Sequence, residues 1–344
     1  MRRRFLQQLP AAALALAAAV RGTPVHAQAP APVPAPRKPP RIYAVTWRGK
    51  TQVENGLEDY FGKQGVAVEF LWRDAEQQTA RLAEFAAEIR AVKPDLVYTW
   101  GTPPTLGLVG AHDAFDAKRH ISGIPVVFAL VAAPVGAKLV TALTGHGRDL
   151  TGVTHVAALE AQMEAIRTYR PFKKLGMLYN GAERNSVVTA EALKRIATQS
   201  RFELIEQTFD RAPDGKPVAT GVEDKVAALK RAGAEWLYLG PDTYLFSQIE
   251  RVANAAAELQ LPTFSATEAA LTGKAPVLAG LVASYYTIGQ FAGFKAEQIL
   301  IKGKRARDIP IETLSRYSFI VRMDVAKRLD ILPPVSLFNY AIMR

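Results

Sequence analysis

The sequence predicts an α/β protein made of parallel sheets with helices on both faces, arranged as two successive units. Three observations predict it. Apolar runs of strand length alternate with helical stretches of about 10–16 residues, as βαβ units require. The alternation pauses at Asp149-Leu150-Thr151-Gly152 and then restarts. Finally, 344 residues suffice for roughly two domains of about 100–200 residues each.

The elements follow in order. Residues 42–47, Ile-Tyr-Ala-Val-Thr-Trp, form an apolar run of strand length, and 52–62 are helical. Residues 66–72 alternate with strand period. Over 76–91, Leu82, Phe85, Ala86 and Ile89 share one helical face. Residues 95–99 read as strand, 103–118 as helix and 125–130 as strand. The second unit continues with helix 159–169, strand 174–179, helix 187–199 and strand 202–209. Helix 223–232, strand 236–239 and helix 246–259 come next. A short strand around Thr263-Phe264, a strand at 277–283 and a long helix at 286–300 complete it. No sequence repeat of about 20–50 residues underlies this rhythm.

The N-terminus reads as an address. Residues 1–27 have a basic start (Arg2, Arg3, Arg4), a short Ala-rich apolar middle and the small-residue ending Val25-His26-Ala27. That pattern is a secretory signal peptide, cleaved near Ala27. Its apolar run, 11–20, is half the length of about 20 residues that a spanning helix needs. The Arg-Arg-x-Phe-Leu start resembles a twin-arginine signal. Residues 28–40 are dominated by Ala and Pro and read as an extended linker. The expected location is the periplasm.

Export changes the meaning of the charge. The chain carries a formal +11, but residues 1–27 hold four Arg and no acid. Without them, 39 basic and 32 acidic residues leave a net of +7. The most basic stretch left, Lys302-Gly303-Lys304-Arg305-Ala306-Arg307, is too short for a nucleic-acid-binding patch. The absence of Cys excludes disulfides, thiolate nucleophiles, Cys-bound zinc and iron–sulfur clusters.

Enzyme templates fail. There is no Gly-x-Gly-x-x-Gly after a strand, Walker loop, His-Glu-x-x-His or Gly-x-Ser-x-Gly elbow. His112, His120, His146 and His155 lack metal-ligand spacing and read as surface or loop residues. No cofactor and no catalytic or metal-binding residue is expected. The distinctive segments lie where strands end, which is where open α/β sheets bind ligands. They are Trp47-Arg48-Gly49-Lys50, Thr99-Trp100-Gly101-Thr102-Pro103-Pro104, 180–186 and Gly240-Pro241-Asp242-Thr243. Thr102 can cap a helix opened by Pro103, and Asn185 or Ser186 can cap another. N–H groups at such a helix start favour an anionic or carbonyl oxygen. Ser265-Ala266-Thr267-Glu268 and Ser284-Tyr285-Tyr286 are further candidate walls. Trp47, Trp100 and Tyr285 offer flat faces to a ring-bearing ligand, or pack as core aromatics.

Several blocks in order resemble the exported substrate-binding proteins of ABC importers with a type I periplasmic-binding fold, in the branch that includes binders of aromatic amino acids. They include 95–104, Ile124-Pro125-Val126-Val127-Phe128-Ala129 and Gly147-Arg148-Asp149-Leu150-Thr151-Gly152-Val153. Leu178-Tyr179-Asn180, Asn185-Ser186, Leu261-Pro262-Thr263-Phe264, Tyr285-Tyr286-Thr287-Ile288-Gly289, 299–303 and Ile309-Pro310-Ile311 continue the match over about 41–335. The resemblance implies two Rossmann-like lobes joined by three crossovers, with ligand in the cleft between them. The first lobe would hold 41–150 plus about 284–309, and the second 151–283 plus about 310–344. The family often carries Asp before Pro134 and before the Tyr-Tyr pair, where this chain has Ala133 and Ser284.

The expected function is capture of a small organic ligand, amino-acid-like or ring-bearing, and its delivery by a monomer to an ABC permease. Trp47, Trp100, Gly101, Thr102, Asn185, Ser186, Asp242, Glu268 and Tyr285 are the expected ligand contacts. Backbone N–H groups at Gly101 and Thr102 would hold a carboxylate or carbonyl, with Asp242 and Glu268 as possible cation partners. Two other classes compete. A ligand-sensing partner of a membrane signalling protein would lack neighbouring permease and ATPase genes. An exported α/β enzyme would turn its ligand over.

Overall fold

The computed structural model describes residues 38–344. The signal-peptide expectation and most of the predicted linker fall outside the described residues.

The first lobe begins with β1 (Arg41–Thr46), α1 (Gln52–Gln64), β2 (Glu69–Asp74), α2 (Arg81–Val92), β3 (Leu96–Trp100) and α3 (Thr102–Val109). Strands β4 (Val126–Ala129) and β5 (Leu150–Thr154) follow. The chain then builds the second lobe through α4 (Leu159–Tyr169), β6 (Lys174–Tyr179), α5 (Arg184–Ser200) and β7 (Glu203–Thr208). A small ribbon, β8 (Asp210–Arg211) and β9 (Pro217–Val218), precedes α6 (Val222–Arg231), β10 (Trp236–Leu239), α7 (Thr243–Ser247) and α8 (Ile249–Glu258). After β11 (Thr263–Ser265), α9 (Ala269–Thr272) and β12 (Ala279–Val282), the long α10 (Tyr285–Leu300) returns to the first lobe. The chain closes with β13 (Glu312–Thr313), β14 (Ser318–Val321), α11 (Met323–Arg328) and β15 (Ile342–Met343).

Among the described residues the strands form two large sheets and the small ribbon. The first has the order β13-β5-β4-β3-β1-β2 and is parallel throughout. The second has the order β15-β14-β12-β11-β10-β6-β7, with β12 and β14 antiparallel. Strand alternation divides the second sheet into two cores. Trp236 and Tyr238 of β10 pack with Met163 and Ile166 of α4 and Leu193 of α5. Leu237 and Leu239 face the other way, onto Val226 of α6 and Val252 of α8. These strands are apolar on both faces because helices cover both faces.

Several predicted boundaries move, for local reasons. The helix expected over 103–118 ends at Val109, because Gly110 leaves the helix at φ +69°. The helix expected from 76 starts at Arg81, since Glu76 and Gln77 both take positive φ. The helix expected over 246–259 is two helices that meet at Gln248, the first of them capped by Asp242. Strand β5 was not expected: its first four residues are buried, but the five, Leu-Thr-Gly-Val-Thr, carry little apolar signal. β5 and β13 both join the first sheet, so the sheets divide about four residues later than the expected cuts at 150/151 and 309/310.

Helix α10 must rejoin a lobe from which it is separated in sequence by five of the seven strands of the second sheet. Two glycines make this possible. A Cβ on Gly289 would lie 1.8 Å from the Val53 carbonyl oxygen, and one on Gly56 would lie 2.0 Å from that of Tyr286. The backbones of α1 and α10 therefore touch directly. Tyr60 adds a hydrogen bond from its hydroxyl to Glu297 at 2.6 Å. Near its other end, the ammonium of the buried Lys295 donates to the Pro310 carbonyl at 2.7 Å and to Glu312 at 2.6 Å. It thereby ties α10 to the segment that leads into β13.

Three segments cross between the lobes, around 155–158, 283–284 and 314–317. The first two are joined by a bridge between Val156 and Val282. The third is joined to the first by the Tyr317 hydroxyl, which donates to the Val156 carbonyl at 3.3 Å.

Because the obstruction at Gly289 is backbone and not a flexible side chain, Gly289→Ala should destabilise the protein by about 1–3 kcal/mol. Urea unfolding checks this, with Gly62→Ala, where a Cβ meets nothing within 4 Å, as the neutral comparison.

Candidate functional site

The ends of β1, β3, β6 and β10 converge on the space between the lobes. On the first lobe, the loop after β1 carries Trp47 and Arg48. Thr51 then starts α1 with a capping box: its hydroxyl accepts from Val53 N at 3.2 Å, and Glu54 accepts from Thr51 N at 2.7 Å. The second Glu54 oxygen accepts from the buried Tyr98 hydroxyl at 2.6 Å. Trp100 donates its indole N–H to the Thr51 hydroxyl at 3.3 Å. One cap therefore fixes both the β1 loop and the Trp100 ring.

Arg48 reaches from this loop across the cleft. Its guanidinium lies 4.9 Å from the Trp100 ring centre and 3.8 Å from that of Phe246 on the second lobe. Among the described residues it makes no ion pair and no hydrogen bond. Stacking compensates a guanidinium only in part; Tyr285, Glu54 and Glu183 favour its charge through space, but the guanidinium lacks a direct partner.

The second lobe supplies two buried acids, both already engaged. Asp242 accepts from Leu245 N at 2.7 Å, capping α7, and from Asn180 N at 2.6 Å. Glu183 accepts from the Thr243 N–H at 3.0 Å and from its hydroxyl at 2.6 Å. Burial raises both carboxyl groups. The nearby Asp242 charge adds to the effect on Glu183, which is pushed up to about 8. Asn185, in the first turn of α5, donates its amide to the Pro241 carbonyl at 2.5 Å. Its Oδ1 is buried without a partner among the described residues.

A narrow interlobe pocket of about 40 Å³ results, with walls from both lobes. Of the expected residues, it brings together Trp100, Gly101, Thr102, Asn185, Asp242 and Tyr285. Trp47 lies outside it, lining the outer cleft with Gln77, Pro103 and Tyr244. Ser186 faces a smaller recess behind Asp242, with Met177 and Thr189. Glu268 does not line the pocket either; it accepts from the Tyr285 N–H at 2.6 Å and fixes the start of α10.

Sequence reasoning missed Arg48, His155, Glu183 and Phe246, all of which line the pocket. Arg48 stood in a flagged loop beside a more conspicuous Trp. The reading of His155 as a surface or loop residue is corrected: it follows β5 at the first crossover and is buried, only 4% exposed. Burial drives its pKa down to about 3, so it is neutral, and its Nδ1 has no partner among the described residues. Its ring meets Tyr285 edge to face at 6.2 Å. Tyr285 is pushed up to about 12, chiefly by burial, and keeps its proton.

Two capping expectations are also corrected. Thr102 does not cap α3; Gly101, at φ +83°, precedes the helix without a side-chain bond. The Gly101 N–H is spent on the Ala129 carbonyl at 2.8 Å, and Pro103 and Pro104 have no N–H to offer. This helix start is therefore a poor anion site. On the second lobe, neither Asn185 nor Ser186 caps α5, which begins at Arg184 after Glu183. Ser284 caps α10 by accepting from Thr287 N at 3.4 Å and does not line the pocket. Among the described residues, no cluster of three or more His, Asp or Glu could hold a metal ion, and no helix is long and apolar enough to cross a membrane.

Two facing α/β lobes with a pocket between them define a solute-binding architecture rather than a catalytic one. The model of the family described as ABC transporter substrate binding protein matches residues 48–343, and the chain belongs to that family. Such proteins bind small ligands and work with ABC transporters; they are not enzymes. The chain is 26% identical over 275 residues, 80% of its length and 74% of the relative's, to a tyrosine-binding protein of Clostridioides difficile. Among solved structures, a conserved domain protein of Vibrio cholerae shares the fold at TM-score 0.77 and 24% identity. A protein from Streptococcus pneumonia in complex with L-Trp does so at 0.76 and 21%. In each case the match covers 89% of this chain and 99% of the other.

The two buried titrating groups pull stability in opposite directions. His155 is neutral when folded, so its contribution is present above its ordinary pKa of 6.5 and is lost as pH falls toward 3. Glu183 holds its proton when folded, so its contribution is present below 4.5 and is lost as pH rises toward 8. Each slope is at most about 1.4 kcal/mol per pH unit. Urea unfolding should therefore show that His155→Gln reduces the loss between pH 7 and pH 5. Glu183→Gln should instead reduce the loss between pH 6.5 and pH 8. Profiles parallel to wild type in both variants would contradict these assignments.

Proposed function

We propose that this protein is the exported solute-binding component of an ABC importer, capturing a small organic ligand between its lobes in the periplasm and handing it to the permease as a monomer. The observation that carries this is the interlobe pocket, in a chain of this family, with an aromatic and cationic wall from one lobe and a hydrogen-bonding wall from the other. The relatives that bind tyrosine and tryptophan support an amino-acid-like or ring-bearing ligand. Trp100 would cover the ring, and Asn185, Thr102 and Tyr285 would read its polar atoms. Gly101 allows close approach of backbone, while Asp242 holds the Asn180 and α7 loops in place. Trp47 would close the outer cleft. Ser186 and Glu268 would support the wall from behind.

The mechanism is a hinge equilibrium. Three crossing segments let the lobes rotate, and ligand favours closure to the extent that it contacts both walls better when they are close. No bond is made or broken.

Small molecules released from natively purified protein and identified by mass spectrometry should include a bound solute. At about one hundred times its Kd, that solute should stabilise the protein by about 2.7 kcal/mol. Trp100→Ala and Asn185→Leu should each weaken binding at least about tenfold, as residues central to a desolvated contact do. Unchanged thermal shifts in both variants would remove the pocket from the proposal.

A further inference from the structure

The pocket has a charge pattern that says more about its ligand than the fold does. Arg48 places a positive guanidinium between Trp100 and Phe246, 4.9 Å and 3.8 Å from the two ring centres, with no ion pair among the described residues. The pocket's two lining carboxylates are both in use. Asp242 is divided between the N–H groups of Leu245 and Asn180, and Glu183 between the N–H and hydroxyl of Thr243. The remaining polar lining is neutral: the Asn185 Oδ1 and the His155 Nδ1, both unpartnered and both at least nine-tenths buried, with the Thr102, Thr267 and Tyr285 hydroxyls. Ala132 lines the wall and brings no charge to it.

An incoming anion would satisfy the incompletely compensated guanidinium, and a carboxylate matches its planar fork. An incoming ammonium would find the opposite: a like charge nearby, and carboxyl groups whose oxygens already accept hydrogen bonds from the protein. From this we infer that the ligand is a ring-bearing organic carboxylate without an ammonium group, held by Arg48, and not an α-amino acid. Its ring packs beside Arg48 on the remaining apolar lining, Leu130 and Ala132 with the edge of Trp100. Any hydroxyl or ring N–H it carries can donate to the Asn185 Oδ1, and the neutral His155 ring offers a second uncharged partner. The inference rests on the solute-binding reading above and narrows its ligand class.

Matched probes test it. Isothermal titration at pH 7 would compare indole-3-propionate with L-tryptophan and tryptamine, and 3-(4-hydroxyphenyl)propionate with L-tyrosine and tyramine. At least one acid should bind ten or more times tighter than its amino-acid counterpart, and neither amine should bind. Arg48→Met should weaken that acid at least tenfold. Arg48→Lys, which keeps the charge but not the fork, should recover part of the loss, with folding of both variants checked by circular dichroism. An amino acid that binds as tightly as its acid counterpart overturns the inference and leaves solute binding standing. So does an ammonium-bearing molecule released from native protein. If no probe binds and native protein releases no small molecule, the inference and the solute-binding reading fail together.

Discussion

The contact on which the architecture depends is the backbone-to-backbone meeting of α1 and α10. The two helices lie more than two hundred residues apart in sequence, and α10 has to find α1 after the chain has completed most of another sheet. Gly56 and Gly289 allow a separation that no side chain would permit. Lys295 then secures the far end through Pro310 and Glu312. Without that return there would be no second crossing at 283–284 and no Tyr285 at the pocket wall. The hinge and the site both inherit their geometry from one glycine-lined interface.

The site itself is built by caps. Thr51 orders the β1 loop and also takes the Trp100 indole N–H. Asp242 caps α7 and also receives the Asn180 N–H from the neighbouring strand end. Glu183 joins the start of α5 to Thr243. Buried carboxylates in a cleft invite a role in ligand recognition, yet here their oxygens are consumed in fixing loops. The groups left without partners, Arg48, His155 and Asn185, are the ones that a ligand can satisfy.

Much of the fold was legible because strand burial and helix periodicity are local properties. β10 and the helix before it, α6, were read within a residue, since Trp236–Leu239 is apolar on both faces and could be little else. β5 was not, because its burial comes from the strands beside it and not from its own Thr- and Gly-rich composition. The pocket was only partly legible. Loops at strand ends pointed to Trp100, Asn185 and Tyr285 by position. Whether a side chain in such a loop faces the cleft depends on neighbours distant in sequence. Trp47 and Arg48 are adjacent and diverge, one to the outer cleft and the other into the pocket. His155 looked ordinary because nothing in the sequence shows that a crossover will bury it.

The paired prolines after Thr102 have an effect that reaches past this one molecule. Many α/β proteins bind anions with main-chain N–H groups at a helix start, an arrangement written into the path of the backbone. Here Pro103 and Pro104 remove those donors, and the positive charge is carried on a side chain instead. A backbone nest can be lost only by rebuilding a loop, but an arginine can be exchanged by a single codon change. The taste of this cleft for charge is therefore an easily revised trait mounted on a rigid scaffold.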